Sequence, residues 1–491
     1  MRVHIVAVAG TGMGSLAGLL TELGHEVSGS DVAFDPPIGP MLRAAGVRCL
    51  SGFDARHLDP APDLVVIGNV CRSDNVEARA AIDRGIPFTH IAGALTQFAL
   101  NGTSPLVVAG THGKTTTSAM AAWLLEATGF EPGFFIGGVP KNFERSFRTA
   151  RAPRRTLPIE GKAPNPLVAR GRGLPFVVEG DEYDTAFFEK TPKFLHYGAE
   201  VAIVTSIEHD HIDIYPEVEQ YLDAFRRFVA GVPEHGLLIA NAADPRVVDV
   251  IGDSARSEVA YYAVEGDTLH GVAPHWLAAP AAADGAAQSF DLFAGGVFAG
   301  RFALPVPGRH NLANALAAMA AVVQGYGVPL AELPGALARY AGTKRRQELL
   351  GEPRGVFVYD DFAHHPTAVR ETLLALRMRH PTARIFAVFE PRSATACRGL
   401  HQAQYAQSFD AASEVFLAPL GRTNLAPAEQ LDLGRLVADL NARGRSARAF
   451  AGIEPIVTAL AGETREGDVV AILSNGAFGG IHQSLLRALG G

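Results

Sequence analysis

The sequence predicts an α/β protein of three domains, and three observations support this. Its length of 491 residues fits about three domains of ordinary size. Short runs rich in β-branched residues alternate with stretches of helical spacing, which is the pattern of parallel sheets connected by helices. Two glycine-containing turns, at residues 10–15 and 110–115, each follow such a run and precede a helical stretch. Turns of this kind bind anions, because glycine leaves backbone N–H groups exposed at a helix N-terminus.

The composition fits a soluble globular protein in a reducing compartment. Apolar residues make up 48% of the chain and charged residues 19%, and the net charge of −8 argues against a general nucleic-acid surface. The three cysteines, Cys49, Cys71 and Cys397, are far apart in the sequence. No apolar run approaches the ~20 residues that cross a bilayer, and the N-terminal run HIVAVAG predicts a first strand, not a signal peptide. We therefore expect a cytoplasmic protein with no nucleic-acid or membrane partner.

The first predicted domain, residues 1–103, is expected to be Rossmann-like. The strand-like runs HIVAVAG, EVSGSD, DLVVIGN and IPFTH alternate with helical stretches. The first run leads into a turn made of Gly10, Thr11, Gly12, Met13, Gly14 and Ser15. Asp31 ends the next run about 20 residues later, where an acid meets the ribose of a dinucleotide. The turn suits the dinucleotide of an NAD-dependent dehydrogenase or the diphosphate of a UDP-sugar, because a helix N-terminus binds both alike.

The second predicted domain, residues 104–340, opens on the segment LVVAGTHGKTTTSAM, which has the strand–loop–helix order of a P-loop. The loop consists of Gly110, Thr111, His112, Gly113, Lys114 and Thr115. Lys114 can reach the β- and γ-phosphates of ATP, and the hydroxyl of Thr115 or Thr116 can ligate Mg²⁺. Val108 stands where the full pattern has its first glycine, so this loop is a compact variant. We expect a P-loop ATPase domain with a mostly parallel sheet.

Two acidic stretches follow further strand-like runs of this domain, at residues 179–184 (EGDEYD) and 208–213 (EHDHID). Ligands of open α/β sheets collect at the carboxyl ends of the strands. Carboxylate oxygens suit Mg²⁺, which would bridge phosphates and spread developing charge. The histidines of the second stretch are also compatible with a zinc site or a plain polar loop.

The remaining segments of the chain indicate structure but no specific binding motif. Residues 145–173, rich in Arg, Pro and Ala, predict a mobile surface loop, with binding of an acidic ligand as the alternative. Short alternating runs at residues 264–305 predict a small antiparallel patch. Residues 341–491, with the runs GVFVYDD, RIFAVFE, EVFLAPL and GDVVAILS, predict a Rossmann-like C-terminal domain.

The motifs GTHGKTTT, DHIDIY and GRHNLAN together resemble the ATP-dependent Mur ligases of peptidoglycan synthesis, and the similarity runs along essentially the whole chain. The resemblance implies that the first domain binds UDP-N-acetylmuramate, the second ATP and Mg²⁺, and the third a peptide. The stretches EGDEYDTAFFEKTPKFLHY, FEPRSAT and SNGAFGGIHQSLL resemble the branch that joins the murein tripeptide L-alanyl-γ-D-glutamyl-meso-diaminopimelate to UDP-N-acetylmuramate. The branch that adds L-alanine is the alternative.

The resemblance also implies roles for individual residues. The catalytic set is Lys114, His211, Glu179 and Arg346. The magnesium positions are Thr115 or Thr116, Glu179 and His211. The nucleotide contacts are the loop at 110–115 with Thr116, Asn311, Asn314, Arg346 and Asp361. The substrate contacts are the turn at 10–15, Asp31, His364 and His365, although HHPTAV also fits a plain helix start.

The implied chemistry is activation of a carboxylate by ATP. The lactyl carboxylate attacks the γ-phosphate to give an acyl phosphate, and the alanyl amine of the tripeptide then displaces phosphate. His209, His364 and His365 are candidates for deprotonating the amine. A pocket for the third residue of the peptide would need an arginine beside an acid or amide, and the third domain offers Arg392, Arg398, Arg422 and Asn424.

Two positions depart from the family pattern. Ser206 stands where asparagine is usual before the DH motif. Several Mur ligases carry a carbamylated lysine beyond that motif, but no lysine occurs between Lys193 and Lys344 here, so other groups must supply charge near the magnesium. A folylpolyglutamate-type ligase, an NAD-dependent dehydrogenase and a non-catalytic nucleotide-binding regulator are the other readings. The expected oligomeric state is a monomer or weak dimer.

Overall fold

The computed structural model describes residues 1–154, 173–281, 287–422 and 425–490, and its three main sheets confirm the predicted α/β class with three domains. Each main sheet is wholly or mostly parallel, and its strands are connected by helices. Within the described ranges no helix is both long and apolar enough to cross a membrane.

The first domain is a five-stranded parallel sheet in the order β3-β2-β1-β4-β5. Its strands are β1 (Arg2–Val6), β2 (Glu26–Asp31), β3 (Arg48–Ser51), β4 (Leu64–Ile67) and β5 (Phe88–His90). Its helices are α1 (Thr11–Glu22), α2 (Ile38–Ala44), α3 (Val76–Asp83) and α4 (Ile91–Leu95). The strand order reverses between β1 and β4, and the glycine turn between β1 and α1 lies at this switch point, where such sheets bind ligands.

The central domain is built on a ten-stranded sheet in the order β17-β16-β15-β14-β13-β12-β6-β9-β7-β8. Strands β6 to β11 are Thr103–Ala109, Gly133–Phe135, Phe147–Arg148, Leu174–Gly180, Asp184–Ala186 and Glu189–Pro192, the last two forming a separate hairpin. Strands β12 to β17 are Val201–Val204, Leu237–Asn241, Glu258–Val264, Trp276–Pro280, Gln288–Ala294 and Val297–Leu304. The helices α5 to α9 are Lys114–Ala127, Val218–Gly231, Pro245–Ser254, Arg309–Ala320 and Leu333–Leu337.

The order of this sheet brings the predicted motifs together. Strand β6 pairs in parallel with β9 on one side and β12 on the other. The phosphate loop follows β6, one acidic stretch spans the end of β9, and the other follows β12. All three therefore lie at the same edge of the sheet. The antiparallel patch predicted at 264–305 is present, as β16 and β17 extend this sheet beyond β15.

Helices α5 and α8 cover one face of the central sheet. Both are rich in alanine, and both contribute to the same buried cluster, which includes Met120, Leu124, Leu312 and Leu316. Small side chains let helices approach closely, and burying each large apolar side chain stabilises the domain by about 1.5–3 kcal/mol. This packing fixes the start of α5, where the phosphate loop ends.

The third domain is a six-stranded sheet in the order β18-β19-β23-β20-β21-β22, parallel except for β18. Its strands β18 to β23 are Glu348–Gly351, Phe357–Asp361, Ile385–Phe389, Glu414–Leu417, Ser446–Ala449 and Val469–Leu473. Its helices α10 to α14 are Pro366–Arg379, Gln402–Ser408, Leu433–Ala442, Ile453–Glu463 and Ile481–Ala488. The parallel core gives this domain the predicted Rossmann-like character.

Part of the segment predicted as a mobile surface loop is instead ordered structure. Within 145–173, strand β8 is buried beside β7, and residues 155–172 lie outside the described ranges. The Arg148 guanidinium donates to the Glu126 carboxylate and the Pro132 carbonyl, each at 2.7 Å. The prediction was wrong for this strand because composition alone does not show that a buried arginine has a partner.

A buried carboxylate holds the first domain together behind the glycine turn. Glu77 on α3 is fully buried and accepts hydrogen bonds from Ser30, from the Asp54 backbone at 2.9 Å and from His57 at 2.6 Å. The Glu77 oxygen that accepts from Ser30 also lies 3.3 Å from His4 Nε2. Burial opposes the charge, but the hydrogen bonds from His4 and Ser30 hold the pKa of Glu77 below its usual range.

We expect Glu77→Ala to lower the free energy of unfolding of the first domain by about 3–5 kcal/mol, because it leaves buried polar partners unpaired. Urea unfolding followed by circular dichroism measures the change. Glu77→Gln keeps the shape and part of the hydrogen bonding, so it should lose less. Equal losses in the two variants would contradict this account.

Candidate active site

The phosphate loop takes a backbone shape that requires its two glycines. Gly110 and Gly113 have φ angles of +134° and +81°. A Cβ atom at Gly110 would lie 2.1 Å from the Thr205 hydroxyl, and one at Gly113 would lie 2.4 Å from the Asn314 side-chain oxygen. Both positions therefore require glycine, for the positive φ and for the lack of space for a Cβ atom. The loop ends where α5 begins, at Lys114.

Lys114 is paired with a buried carboxylate that the sequence motif alone does not single out. Its Nζ lies 2.9 and 3.1 Å from the two Glu182 oxygens and donates to the Gly110 carbonyl at 2.6 Å. Burial disfavours the ammonium, but the charges of Glu182, Asp181 and Glu179 and the hydrogen bond to Glu182 together outweigh it, so the pKa of Lys114 is raised. Against the same burial, Lys114 lowers the pKa of Glu182 to about 2. Lys114 is therefore a fixed positive charge at the start of α5.

Thr115 and Glu179 form the part of the site that best suits a magnesium ion. The Thr115 hydroxyl donates to Glu179 at 2.7 Å, and the Gly137 N–H donates to the other carboxylate oxygen at 2.7 Å. Desolvation and then the charge of Asp181 raise the pKa of Glu179, so a cation here would be favoured by the local field. A hydroxyl beside a carboxylate at a phosphate loop is a donor set for Mg²⁺. Thr116, the next residue, is buried on α5.

His211 lies on the same side of the site but is engaged with Glu182. Its Nε2 is 3.0 Å from Glu182 Oε1, and this carboxylate raises the pKa of His211 despite burial, which acts in the opposite direction. Its φ of +54° is unusual for a residue other than glycine. The preceding Asp210 accepts from the Thr395 hydroxyl of the third domain at 2.6 Å. The second acidic stretch therefore joins the phosphate site to the third domain.

Arg346 reaches the phosphate site from the segment that leads into the third domain. Its guanidinium donates to the Thr115 hydroxyl at 3.3 Å and lies 5.0 Å from the centre of the Phe362 ring. Asp361 is buried and accepts from the backbone N–H groups of Gln347 and Ala363 at 2.7 and 2.8 Å. Desolvation raises the pKa of Asp361. Asp361 thus fixes the backbone that presents Arg346.

The two asparagines of the GRHNLAN motif lie on α8 beside the phosphate loop. Asn311 donates to the Pro307 carbonyl at 2.8 Å, and Asn314 is the side chain against which Gly113 packs. Both are buried. They therefore shape the start of α8 and the loop.

Glu208, which the sequence predicted only as part of the acidic stretch 208–213, connects the phosphate loop to the third domain. One oxygen lies 2.8 Å from His112 Nε2 and 3.3 Å from His365 Nδ1, and the other accepts from Thr367 at 3.0 Å. The three side chains His112, Glu208 and His365 could together ligate a metal. However, His365 Nδ1 accepts from the Thr367 N–H as the N-cap of α10, so it does not also donate to Glu208. The hydrogen bond from the Thr367 hydroxyl is therefore the link between Glu208 and the third domain.

The Glu208 bridge should make stability depend on pH. Burial opposes its charge, but the hydrogen bond and charge of His112, the charge of His365 and the hydrogen bond from Thr367 together hold the pKa of Glu208 at about 2. The unfolded chain titrates near pH 4.5, so the contribution is present above that pH and is lost as pH falls toward 2. We expect the urea midpoint of Glu208→Gln to fall less steeply over this window than that of the wild type. Glu234→Gln, at an exposed carboxylate, should follow the wild type.

The three histidines proposed as bases differ in their surroundings. His209 Nε2 bonds to the Tyr215 carbonyl at 2.8 Å, and His364 Nδ1 bonds to the Phe362 carbonyl at 3.0 Å. Burial lowers the pKa of both His364 and His365, the latter to about 3. His365 caps α10, which begins at Pro366, as the helix-start reading predicts. A neutral His364 is compatible with accepting a proton.

The glycine turn of the first domain is shaped by Asp31 and tied to the central domain. Gly10 precedes α1 with no side-chain cap. The Asp31 carboxylate accepts from the N–H groups of Ala9 and Val32 at 2.9 and 2.7 Å. Ser15, which stands in place of a third glycine, is buried and bonds to Ser146 at 2.8 Å. The turn therefore presents the N-terminus of α1 beside a carboxylate.

The predicted residues fall into separate groups. Direct hydrogen bonds connect Thr115 to Glu179 and Arg346, while Lys114 and His211 meet through Glu182. The turn at residues 10–15, which was predicted to contact substrate, belongs to the sheet of the first domain. The sequence predicted Glu182 and Glu208 only as members of the acidic stretches 179–184 and 208–213, and it did not predict their individual contacts with Lys114 and His112.

The peptide-pocket candidates of the third domain lie in different settings. Arg392 is half exposed and lies 3.7 Å from Glu390, whereas Arg398 donates to its own loop at the Ala394 carbonyl at 2.9 Å. Arg422 is exposed, and Asn424 lies outside the described ranges. Arg392, beside an acid at the carboxyl end of β20, best matches the expected chemistry.

Comparison with known proteins finds matches along the whole chain. The models of the Mur ligase family catalytic domain, the Mur ligase middle domain and the Mur ligase glutamate ligase domain match residues 2–103, 108–322 and 345–476. The UDP-N-acetylmuramate–L-alanyl-γ-D-glutamyl-meso-2,6-diaminoheptandioate ligase of Escherichia coli (strain K12) is 38% identical over 490 residues, covering 100% of this chain and 98% of that protein.

Two further relatives complete the comparison. The UDP-N-acetylmuramate–L-alanine ligase of Roseiflexus sp. (strain RS-1) is 34% identical, covering 97% of this chain and 96% of that protein. The crystal structure of a murein peptide ligase from Psychrobacter arcticus 273-4 has a TM-score of 0.71 at 33% identity, covering 100% of this chain and 99% of that chain.

Proposed function

The chain belongs to the Mur ligase family, and from this premise we propose that it joins L-alanyl-γ-D-glutamyl-meso-diaminopimelate to UDP-N-acetylmuramate at the expense of ATP. The observation that carries the proposal is the full-length similarity to a relative of that name, together with Lys114, Thr115 and Glu179 at one phosphate loop. Residues 1–103 would bind the UDP-sugar, 104–340 ATP, and 341–491 the peptide.

The proposed reaction needs an activated acid, because a carboxylate is a poor electrophile for an amine. The lactyl carboxylate attacks the γ-phosphorus, the bond to the β–γ bridging oxygen breaks, and ADP leaves with its electron pair. The alanyl amine then attacks the acyl carbon of the acyl phosphate and expels phosphate. A neighbouring base takes the amine proton, and the neutral, partly buried His364 is the candidate we favour.

The protein's part in this reaction is positioning and charge. The glycines expose the loop N–H groups, Lys114 neutralises phosphate oxygens, and Arg346 approaches from the third domain. Thr115 with Thr116, Glu179 and His211 are the residues that would hold Mg²⁺, which would supply a Lewis acid that spreads the charge of the transferring group. The Glu208 bridge to Thr367 and the Asp210 contact with Thr395 favour a closed arrangement, which keeps water from the acyl phosphate.

The second candidate is the addition of L-alanine itself, which the similarity to the Roseiflexus L-alanine ligase favours. Both reactions would activate the same sugar acid and differ only in the amine. An NAD-dependent dehydrogenase would use the first turn but leaves the Lys114 site without a purpose. A non-catalytic regulator would keep both loops and show no turnover.

Phosphate release by the purified protein tests the proposal. The assay contains ATP, Mg²⁺ and UDP-N-acetylmuramate, with either the tripeptide or L-alanine as the amine. Stimulation by the tripeptide alone supports the proposed function, and stimulation by L-alanine alone selects the second candidate. If neither amine raised phosphate release above the rate measured without UDP-N-acetylmuramate, both candidate functions would be overturned.

A further inference from the structure

A hairpin joins the candidate magnesium site to the first domain. It consists of β10 and β11, and the Phe188 ring near its tip packs edge-to-face on Phe88 at 5.1 Å. Glu189 of the hairpin lies 3.1 Å from His90 of the first domain. At its base the Lys193 N–H donates to the Tyr183 carbonyl at 3.1 Å. The tip of the hairpin therefore lies against the first domain, while this hydrogen bond joins the two ends of the hairpin at its base in the central domain.

The base of this hairpin lies in a strongly negative region. The Tyr183 ring contacts His211, with 4.1 Å between ring centres. Glu182 and Asp210 have oxygens 3.0 and 3.9 Å from His211 Nε2, and Asp181 lies beside them at the base of the hairpin, 3.4 Å from Lys193 Nζ. Such a field would repel a substrate that carries a carboxylate, as the proposed sugar does.

Lys193 is a cation placed within this negative region. Its Nζ lies 3.4 Å from Asp181 Oδ2 and 5.5 Å from the centre of the Tyr183 ring. Its side chain is only 12% exposed. An ammonium has three N–H donors, and a contact of 3.4 Å with one carboxylate is a weak use of them. Lys114, by comparison, contacts both oxygens of Glu182 at 2.9 and 3.1 Å.

We propose that Lys193 binds the carboxylate of the sugar substrate and holds it toward the phosphate loop. This inference rests on the proposed function and adds a specificity-determining residue to it. The carboxylate must reach the γ-phosphate while its UDP portion occupies the first domain. The hairpin that carries Lys193 at its base links these two places. The positive charge of Lys193 offsets the repulsion between the acidic stretches and the lactyl carboxylate of the sugar, which is the nucleophile of the proposed reaction.

Two nucleotide sugars test this assignment by calorimetry, with no ATP present. UDP-N-acetylmuramate carries the lactyl carboxylate, and UDP-N-acetylglucosamine is the same nucleotide sugar without the lactyl group. We expect Lys193→Gln to weaken binding of the first about ten- to a hundredfold, the effect of losing one charge-assisted hydrogen bond, and to leave the second unchanged. Lys193→Arg keeps the charge and should recover most of the loss. The matched control is Lys190→Gln, at an exposed lysine of the same hairpin.

The outcomes separate this inference from the proposed function. Failure of the wild type to bind UDP-N-acetylmuramate would overturn the proposed function and this inference together. A wild type that binds it, with unchanged affinity in Lys193→Gln, would overturn the role of Lys193 alone. Equal weakening of both nucleotide sugars would also overturn that role, because it would mean general damage to the site. Loss confined to the sugar with the carboxylate would support the role.

Discussion

Replacing Lys114 with alanine should lower tripeptide-dependent phosphate release by about 10³-fold or more. Lys114 carries a positive charge at the start of α5 and directly follows the loop that contains Gly110 and Gly113. Phosphoryl transfer depends on such charges because negative charge spreads over the transferring oxygens in the transition state. The same substitution should also weaken ATP binding, which a fluorescent ATP analogue measures.

The pairing with Glu182 requires a second variant. Alanine at position 114 removes the ammonium partner of the buried Glu182 carboxylate and leaves His211 as its remaining basic contact, and removing one partner of a buried ion pair destabilises a domain by about 3–5 kcal/mol. The double variant Lys114→Met, Glu182→Gln removes both charges and should fold better while staying inactive. Lys190→Ala, on the exposed side of the hairpin, should keep full activity. Phosphate release within tenfold of the wild type in the folded double variant would contradict the role given to Lys114.

The parts of the fold that could be read from the sequence are those set by local pattern. The apolar run of β6, its glycines and the helix after Lys114 are adjacent in the chain, and each has its own conformational signature. The sequence also predicted that the two acidic stretches lie beside the loop, because parallel strands end at a common edge of the sheet. The strand at Phe147–Arg148 did not follow, since its burial depends on Glu126 and Pro132.

The contacts between domains were beyond sequence reasoning for a different reason. Glu208 reaches Thr367 and Asp210 reaches Thr395, and each pair is more than 150 residues apart in the chain. No local pattern encodes the angle at which two separately folded domains meet. The acidic runs predicted that carboxylates would be present, but which one would pair with Lys114 depended on the packing of the chain around Glu182.

Replacing Arg346 with alanine should lower kcat by about 10²–10³-fold with a smaller effect on the affinity for ATP. Its guanidinium contacts Thr115 at 3.3 Å and packs on Phe362. Asp361 holds the adjacent backbone through Gln347. Arg346 therefore contacts the candidate phosphate site from the segment that leads into the third domain, and its loss removes this charge while leaving the loop that we propose binds the nucleotide.

Steady-state kinetics and nucleotide binding together test this role. Arg346→Lys keeps one charge but loses the planar fork, so we expect an intermediate kcat, about tenfold below the wild type. Arg339→Ala, at an exposed arginine of the same region, should leave kcat unchanged. An Arg346→Ala enzyme with normal kcat and raised KM for ATP would mean that Arg346 only binds the ground state. A fall in kcat at unchanged ATP affinity would mean that domain closure supplies charge to the transition state, which couples arrival of the third domain to phosphoryl transfer.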